Sequence, residues 1–195
     1  VVKGGNGVWQ ATYAVGEIPS GTYTANIDAT TTDAAGNTRT ASDSVQVETQ
    51  VDNMSVNAST VGGDGVINAA ERGSGVSITG TTEVGSTVLV SLGGVTVQAQ
   101  VDAAGNWTAA YSSGQIPTGE QNVALAVTAT DVAGNVKTLN DTVELDTLVN
   151  TLTFAAGNVA GDNVVNAAEA SDGIRLAGSV EPGSSVLAAV QGANR

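Results

Sequence analysis

Cysteine and histidine are absent from the 195 residues, and only 3% of the residues are aromatic. Without cysteine or histidine, the chain cannot form a disulfide framework, a thiolate or imidazole zinc site, or a nucleophile activated by histidine. Any catalytic chemistry would therefore have to use carboxylates, hydroxyl groups and a few lysines and arginines.

Basic residues are also scarce, since 6 lysines and arginines stand against 19 acidic residues, for a formal net charge of -13. This charge repels nucleic acids and anionic membrane surfaces, so that small cations are the natural partners. No apolar run approaches the roughly 18 residues of a membrane span, and the N-terminal VVKGGNGVWQ lacks the pattern of a signal peptide. We therefore expect a soluble chain that neither binds nucleic acid nor inserts into a membrane.

The sequence repeats itself at a constant offset of 98 residues, without insertion or deletion. Trp9 aligns with Trp107, and the same offset relates a series of further pairs: Tyr13 and Tyr111, Asp33 and Asp131, Asp64 and Asp162, Asn68 and Asn166, Glu71 and Glu169, Gly80 and Gly178, and Glu83 and Glu181. A fixed period of this kind indicates a repeated structural unit. We assign residues 51–148 to one complete repeat, 1–50 to the C-terminal half of the preceding repeat, and 149–195 to the N-terminal half of the next.

Apolar residues alternate with small or polar ones in the complete repeat, a period that is typical of β-strands. Seven strands are predicted, at 53–58, 76–82, 87–92, 95–101, 106–111, 122–130 and 136–146, and no helix is predicted. Turn sequences such as DAAGN and DVAGN separate them. Seven short strands in about 100 residues predict an all-β fold, a seven-stranded immunoglobulin-like sandwich. The predicted core consists of Val76, Ile78, Val88, Val90, Trp107, Val123, Leu125, Val127, Val143 and Leu145.

Each half repeat at the ends of the chain would expose a core face and unpaired strand edges. Two explanations remain open. The ends mark where a longer tandem array has been cut, or the leading half of one copy completes the trailing half of the next by strand complementation and so forms a fibre.

The motifs GDGVINAAE, TGTTEVGSTV, DAAGNWTAAY, TATDVAGN and VELDT follow one another in this order. In this combination the chain resembles the bacterial Ig-like tandem repeats of giant RTX-type biofilm adhesins, and the resemblance covers its whole length. It implies an extracellular extender region, secreted by a type I system, with calcium at or near the junctions between domains. The linkers ETQVDN and DTLVNT depart from the Thr-Ala-Pro run that is common in the family.

One acidic segment, Thr60 to Glu71, can be aligned with a 12-residue EF-hand loop. Asp64, Asn68 and Glu71 then fall at ligand positions 5, 9 and 12, with Gly65 at the sharp turn. Thr60 and Gly62 occupy positions 1 and 3, so that half of the ligand set is missing. Either other groups supply the missing oxygens, or the segment is an Asp-Gly turn followed by a solvated glutamate.

Sandwich topology places the acidic loops at the two ends of each repeat, where neighbouring repeats meet. Between the first and second repeats we expect Glu48 and Asp52 to approach Glu83, Asp102 and Asp131. Between the second and third we expect Asp64, Asn68, Glu71 and Asp146 to approach Glu181. The third repeat keeps Asp162, Asn166 and Glu169, and Asp33 matches Asp131, which serves either as a ligand or as a hairpin turn residue. Such carboxylates repel one another unless a divalent cation neutralises them, so we predict Ca2+ at the junctions.

The sequence thus favours a structural extender module of an extracellular bacterial adhesin or matrix fibre, at the cell surface or in a biofilm matrix, stiffened by calcium. Its expected partners are identical repeats in the same or an adjacent chain, including a homopolymer. A carbohydrate- or surface-binding sandwich is the alternative, but Trp107 is predicted to lie in the core rather than on a sugar platform. An enzyme with paired carboxylates is not expected, since a sandwich of this size has no cleft-building insertions.

Overall fold

A computed structural model describes residues 2, 3, 5, 7–155, 157 and 159–190. The chain divides into two compact units, Val1–Asp146 and Thr147–Arg195. The first unit comprises the segment before residue 51, which the sequence analysis assigns to a half repeat, and the sandwich that follows it. Within the described residues, no helix has the length and hydropathy of a membrane-crossing segment.

The half repeat at the start of the chain forms two antiparallel pairs of strands. β1 (Val2–Lys3) pairs with β2 (Trp9–Gln10), and β3 (Thr22–Thr32) pairs with β4 (Thr38–Glu48) in a long hairpin. The turn of this hairpin, Asp33–Asn37, has the sequence Asp-x-Ala-Gly-Asn, and so does the turn at Asp131–Asn135. Gly36 adopts the positive φ that such a turn requires.

The complete repeat is a sandwich of two sheets. Its strands are β5 (Ser55–Val56), β6 (Val66–Asn68), β7 (Val76–Thr81), β8 (Thr87–Leu92), β9 (Val95–Gln98), β10 (Gln100–Val101), β11 (Asn106–Tyr111), β12 (Glu120–Thr130) and β13 (Val136–Asp146). One sheet has the order β10-β11-β7-β5 and the other the order β6-β13-β12-β8-β9. All pairings are antiparallel except that of β6 with β13. This is the strand arrangement of an immunoglobulin-like sandwich, and the predicted fold class is confirmed.

Nine strands replace the seven predicted ones, because one predicted segment is split into two strands and β6 lies in a segment for which no strand was predicted. The segment 95–101 changes sheets at Ala99, which is buried and whose N–H donates to Val88 O over 2.9 Å. The first strand is shorter than predicted, and β6 adds a second, parallel piece beside β13.

The expectation that the repeat lacks helix is wrong in one short segment. Helix α1 (Ala69–Ser74) follows β6, and 3-10 turns lie at Ala58–Gly63 and Ser113–Gln115. Asn68 caps α1, because its side chain accepts hydrogen bonds from Ala70 N and Glu71 N while Glu71 reaches back to Asn68 N. This capping box explains why six residues with little apolar character become helical.

The core lies between the two sheets, and all ten predicted core residues are buried. Apolar residues alternate along β7, β8, β11 and β12, so that every second side chain faces the opposite sheet. The two large aromatic residues satisfy their polar atoms internally. Trp107 Nε1 donates to Thr81 O over 3.1 Å, and Tyr111 Oη donates to Val90 O over 2.7 Å. Burial raises the pKa of Tyr111 to about 12.

The second unit contains β14 (Leu152–Phe154), a 3-10 turn at Val159–Gly161, helix α2 (Ala167–Asp172) and β15 (Gly178–Val180). β14 and β15 pair antiparallel. Asn166 and Glu169 form the same capping box at α2 that Asn68 and Glu71 form at α1. The local structure of this segment therefore follows that of residues 53–82.

Candidate metal centre

Three carboxylates converge at one end of the sandwich. Oxygen atoms of Glu48, Glu83 and Asp131 all lie within 4.8 Å of one another, and no other such group of three is found among the described residues. Glu48 ends β4 of the preceding half repeat, whereas Glu83 and Asp131 lie in the β7–β8 and β12–β13 turns of the sandwich. We call these three residues the junction cluster.

Asp131 is held in place by its own turn. It continues the inward-facing alternation of β12 and is only 6% exposed. Asn135 donates to its carboxylate twice, from the backbone N over 2.7 Å and from Nδ2 over 2.8 Å. Burial raises the pKa of Asp131, but the hydrogen bonds from Asn135 and from the Gly134 and Ala133 amides outweigh it and lower the pKa overall. Asp131 therefore stays ionised in spite of its burial.

Polar contacts fix Glu48 beside the sandwich. Asn135 Nδ2, which bonds Asp131, also donates to Glu48 O over 3.3 Å. Lys137 Nζ donates to Val51 O over 3.4 Å, three residues further along the linker. The amide of Asn135 thus joins the end of β4 to the β12–β13 turn. The Asp-x-Ala-Gly-Asn motif predicted the turn but not this contact.

Glu83 is positioned by the linker and by the neighbouring turn. Its Oε2 accepts a hydrogen bond from Asp52 N over 3.2 Å. The residue before it, Thr82, donates its N–H to Gly105 O over 2.8 Å, which ties the β7–β8 turn to the β10–β11 turn.

The junction cluster concentrates negative charge where two segments meet. Burial raises the pKa of Glu48, and the negative charges of Glu83 and Asp131 raise it further. Like charges held this closely favour either protonation or a bound cation.

The donor set fits a hard divalent cation. All candidate ligand atoms are carboxylate oxygens, and calcium takes six to eight oxygen ligands in flexible geometry. Two further oxygens, the buried hydroxyls of Thr82 and Ser86, have no hydrogen-bond partner among the described residues. Both lie in the turn that carries Glu83, so this end of the sandwich has unused oxygen donors as well as excess negative charge.

The remaining residues predicted for this junction lie outside the cluster. The carboxylate of Asp52 accepts a hydrogen bond from Gln50 Nε2 over 2.7 Å, and only its backbone N reaches Glu83. Asp102 accepts from the Ala104 and Asn106 amides and from Asn106 Nδ2 at 2.8 to 2.9 Å. Asp33 forms the same turn with Asn37. In both turns the hydrogen bonds, that of the Asn side chain above all, lower the pKa of the aspartate.

The residues of the EF-hand-like segment lie at the opposite end of the sandwich. Asp64 Oδ1 accepts from Val66 N over 3.0 Å, and Asn68 and Glu71 cap α1. Asn68 is directly opposite Asp146 in the β6–β13 pairing. Arg72 Nε in α1 donates to Ile116 O and Pro117 O over 3.0 Å, which places this loop beside the loop before β12, as the topology predicted.

In the second unit the corresponding residues have the same local roles. Asp162 accepts from Val164 N over 2.9 Å, and Asn166 and Glu169 form their capping box. Glu181 Oε2 accepts from Asn150 N over 3.0 Å, the counterpart of the bond between Glu83 and Asp52.

No protein-family model matches the chain, and no curated protein matches it. Among solved structures it is similar to a chain from a study of host cell surface retention of a 1.5-MDa bacterial ice-binding adhesin, with 24% identity and a TM-score of 0.46, over 81% of this chain and 52% of that one. A Ca2+-stabilized adhesin with which an Antarctic bacterium binds ice gives 27% identity and a TM-score of 0.40, over 81% and 40%. An immunoglobulin-like domain of the M. primoryensis ice-binding adhesin gives 30% identity and a TM-score of 0.36, over 50% and 97%. The chain thus spans about half or less of the first two structures.

Proposed function

We propose that this chain is a structural extender module of an extracellular bacterial adhesin or matrix fibre, in which Ca2+ stiffens the junction between consecutive repeats. The observation that carries the proposal is the junction cluster, which brings Glu48 of one repeat against Glu83 and Asp131 of the next. The order of the sequence motifs and the 98-residue period support the adhesin part, because a spacer is built by stacking one unit many times.

The cluster would act on the hinge between repeats. When bound, the ion supplies positive charge that cancels the repulsion between carboxylates of two segments, and so holds the end of β4 against the β7–β8 and β12–β13 turns. Without it, Glu48 faces two like charges, although hydrogen bonds from Asn135 to Glu48 O, from Lys137 to Val51 O and from Asp52 N to Glu83 still connect the linker to the sandwich. Calcium would therefore restrict the angles between repeats rather than fold each sandwich.

The rest of the surface suits a spacer. The net charge of -13 keeps a repetitive extracellular chain soluble and limits self-association. The tryptophan of the complete repeat is buried, as predicted, and offers no platform for a sugar.

The same chemistry is proposed for the following junction. Asp146 and Glu181 lie 98 residues after Glu48 and Glu83, and Asp64, Asn68 and Glu71 lie at the end of the sandwich that carries Asp146.

Calcium titration of a matched pair of variants tests the proposal. Asp131→Asn and Asp102→Asn remove a carboxylate from turns of the same sequence type and hydrogen bonding, but only Asp131 belongs to the junction cluster. We expect the unmodified chain and Asp102→Asn to bind Ca2+ in isothermal titration and to melt higher in calcium than in EGTA. Asp131→Asn and Glu83→Gln should lose most of the Ca2+ binding and most of the rise in melting temperature that calcium causes.

Small-angle scattering then measures stiffness. When calcium replaces EGTA, the maximum dimension of the chain should increase, and the range of overall dimensions that the chain samples should narrow. If EGTA leaves both the melting midpoint and the scattering profile unchanged, or if Asp102→Asn loses as much as Asp131→Asn, calcium at the junction cluster is not what organises the chain.

A further inference from the structure

The end of the sandwich core nearest the junction cluster is polar. Thr82 is 3% exposed and Ser86 is 5% exposed, although both side chains carry a hydroxyl group. Neither hydroxyl has a hydrogen-bond partner within the part of the chain that the structure describes. Because a buried polar group without a partner costs free energy, this position favours a ligand for both hydroxyls.

Both side chains point into the space between the two sheets. Every second residue of β7 is buried, and Thr82 continues this alternation just beyond the end of the strand. Every second residue of β8 is buried from Val88 onward, and Ser86 precedes it in the same alternation. Since β7 and β8 belong to different sheets, the two hydroxyls approach the same end of the core from its two sides.

Ser86 is the neighbour of Asp131 across the sheet. The pairing of β8 with β12 ends at Thr87 opposite Thr130, so Ser86 and Asp131 come next along the two strands. Both side chains are buried and belong to the inward-facing series of their strands. Opposite positions on one face of a sheet have Cβ atoms about 5 Å apart. The Ser86 hydroxyl and a carboxylate of the junction cluster are therefore neighbours inside the sandwich.

The β7–β8 turn holds the hydroxyls beside Glu83 as well. Thr82 directly precedes Glu83, and Ser86 N donates to Glu83 O over 3.2 Å, which closes the turn. This turn lies against the β12–β13 turn, because a Cβ added at Gly85 would come within 2.9 Å of a methyl group of Val132. Two neutral oxygens and two of the three carboxylates thus belong to one packed pair of turns.

We propose that the hydroxyls of Ser86 and Thr82 are neutral ligands of the cation held by the junction cluster, and that they set its preference for Ca2+ over Mg2+. This inference rests on the proposed function, since it requires the cluster to bind a cation. Three carboxylates already bring three negative charges to a divalent ion, so hydroxyl oxygens add ligands without adding repulsion.

The number of oxygens supports this role. Ca2+ takes six to eight oxygen ligands, and three carboxylates reach six only if each of them binds through both oxygens. Asp131 has limited capacity for this, because its two oxygens already accept hydrogen bonds from Asn135 N and Nδ2. The two hydroxyls bring the set closer to what Ca2+ requires. Mg2+ usually keeps several of its waters and binds through one or two carboxylates, so it depends less on extra protein oxygens.

Titration of hydroxyl variants of the 195-residue chain tests the proposal. Ser86→Ala and Thr82→Val each remove one hydroxyl, and valine is the residue at the equivalent position 180. Each variant should raise the Kd for Ca2+ at least about tenfold in isothermal titration and should change the Kd for Mg2+ much less. Ser91→Ala and Thr87→Val are matched controls on the outward face of β8, and they should leave both Kd values unchanged.

Melting in EGTA separates a ligand from a structural hydroxyl. Removing a buried hydroxyl that has no partner relieves a desolvation cost, so the Tm of Ser86→Ala and Thr82→Val in EGTA should stay the same or rise. In calcium the Tm of both variants should fall below that of the unmodified chain. A loss of Tm in EGTA as large as the loss in calcium would mean that the hydroxyls serve the fold, and would overturn the proposal.

Asp131→Asn distinguishes failure of this inference from failure of the proposed function. If Asp131→Asn binds Ca2+ as tightly as the unmodified chain, the junction cluster is not the site and both proposals fail. If Asp131→Asn loses binding while Ser86→Ala and Thr82→Val keep the affinity for Ca2+ and the preference over Mg2+, the proposed function stands and only the hydroxyl ligands are refuted. Equal losses in the two control variants would refute the hydroxyl ligands too.

Discussion

Replacing Leu125 by alanine should destabilise the complete sandwich by several kilocalories per mole. Leu125 lies in β12, opposite Leu92 on one side and Asp141 on the other, and is almost fully buried. Removing its three outer carbons from the core costs about 2.4 kcal/mol at roughly 0.8 kcal/mol per methylene group. Incomplete collapse of the cavity raises the total to about 3–5 kcal/mol.

The melting temperature converts this free energy into an observable. A domain of about 100 residues has an unfolding entropy of roughly 0.2 kcal/mol per kelvin, so that a loss of about 3 kcal/mol lowers Tm by about 15 °C. Differential scanning calorimetry measures the shift, and the fluorescence of Trp107, which is buried in the same core, reports the same transition.

Ile27→Ala is the matched control, because Ile27 is the counterpart of Leu125 on the β3–β4 hairpin. In dilute solution its substitution should lower Tm of the sandwich by no more than about 3 °C, since its side chain is already in contact with water and Ala replaces no packed core. A fall of less than about 5 °C for Leu125→Ala, or an equal fall for the two variants, would show that β12 does not organise the core as described.

Two further outcomes follow from the turns and from the carboxylates. Gly105→Ala should lower Tm clearly more than Gly134→Ala. Both glycines have a positive φ, but a Cβ at residue 105 would collide with Thr82 O, whereas a Cβ at residue 134 would meet nothing within 4 Å. Equal shifts in Tm would mean that the backbone at Gly105 can move away from Thr82. Because burial and the charges of Glu83 and Asp131 raise the pKa of Glu48, its carboxylate costs stability in calcium-free buffer at neutral pH, and this cost disappears as the pH falls through the raised pKa. Acid also displaces calcium, since the ligands must be deprotonated. Melting midpoints in calcium and in EGTA should therefore converge between about pH 7 and about pH 4, and a constant difference would contradict the ligand role of Glu48.

The sequence predicted the strands well where one face of the strand is buried in the core and the other is exposed to solvent. Along β12, Val123, Leu125 and Val127 alternate with small or polar residues, and this alternation predicts both the strand and the face that points into the core. The change of sheet at Ala99 could not be predicted from the sequence, because a small residue among alternating valines and polar residues is equally compatible with a straight strand. Helix α1 was missed because its signal is a cap, the Asn68 and Glu71 pair, rather than an apolar period.

The sequence predicted that acidic residues gather at this end of the sandwich, but not which of them belong to the junction cluster. Loop topology alone brings five acidic residues to the same end of the sandwich. Asp102 and Asp131 accept the same hydrogen bonds from the asparagine of their own turns, but only Asp131 lies beside Glu48 and Glu83. A sequence pattern cannot separate these two aspartates, since both begin turns of the same kind.

The parallel pairing of β6 with β13 has a mechanical consequence. Glu144, Leu145 and Asp146 lie beside Val66, Ile67 and Asn68, so that the strand near the start of the repeat runs alongside the one that ends it, in the same direction. A tension applied between the two ends of the sandwich would pull these two strands past each other and load their hydrogen bonds together, in shear, instead of opening them one at a time. Since the unfolding rate governs forced unfolding, the rate at which this ladder of three residue pairs breaks would contribute directly to the lifetime of the stretched sandwich.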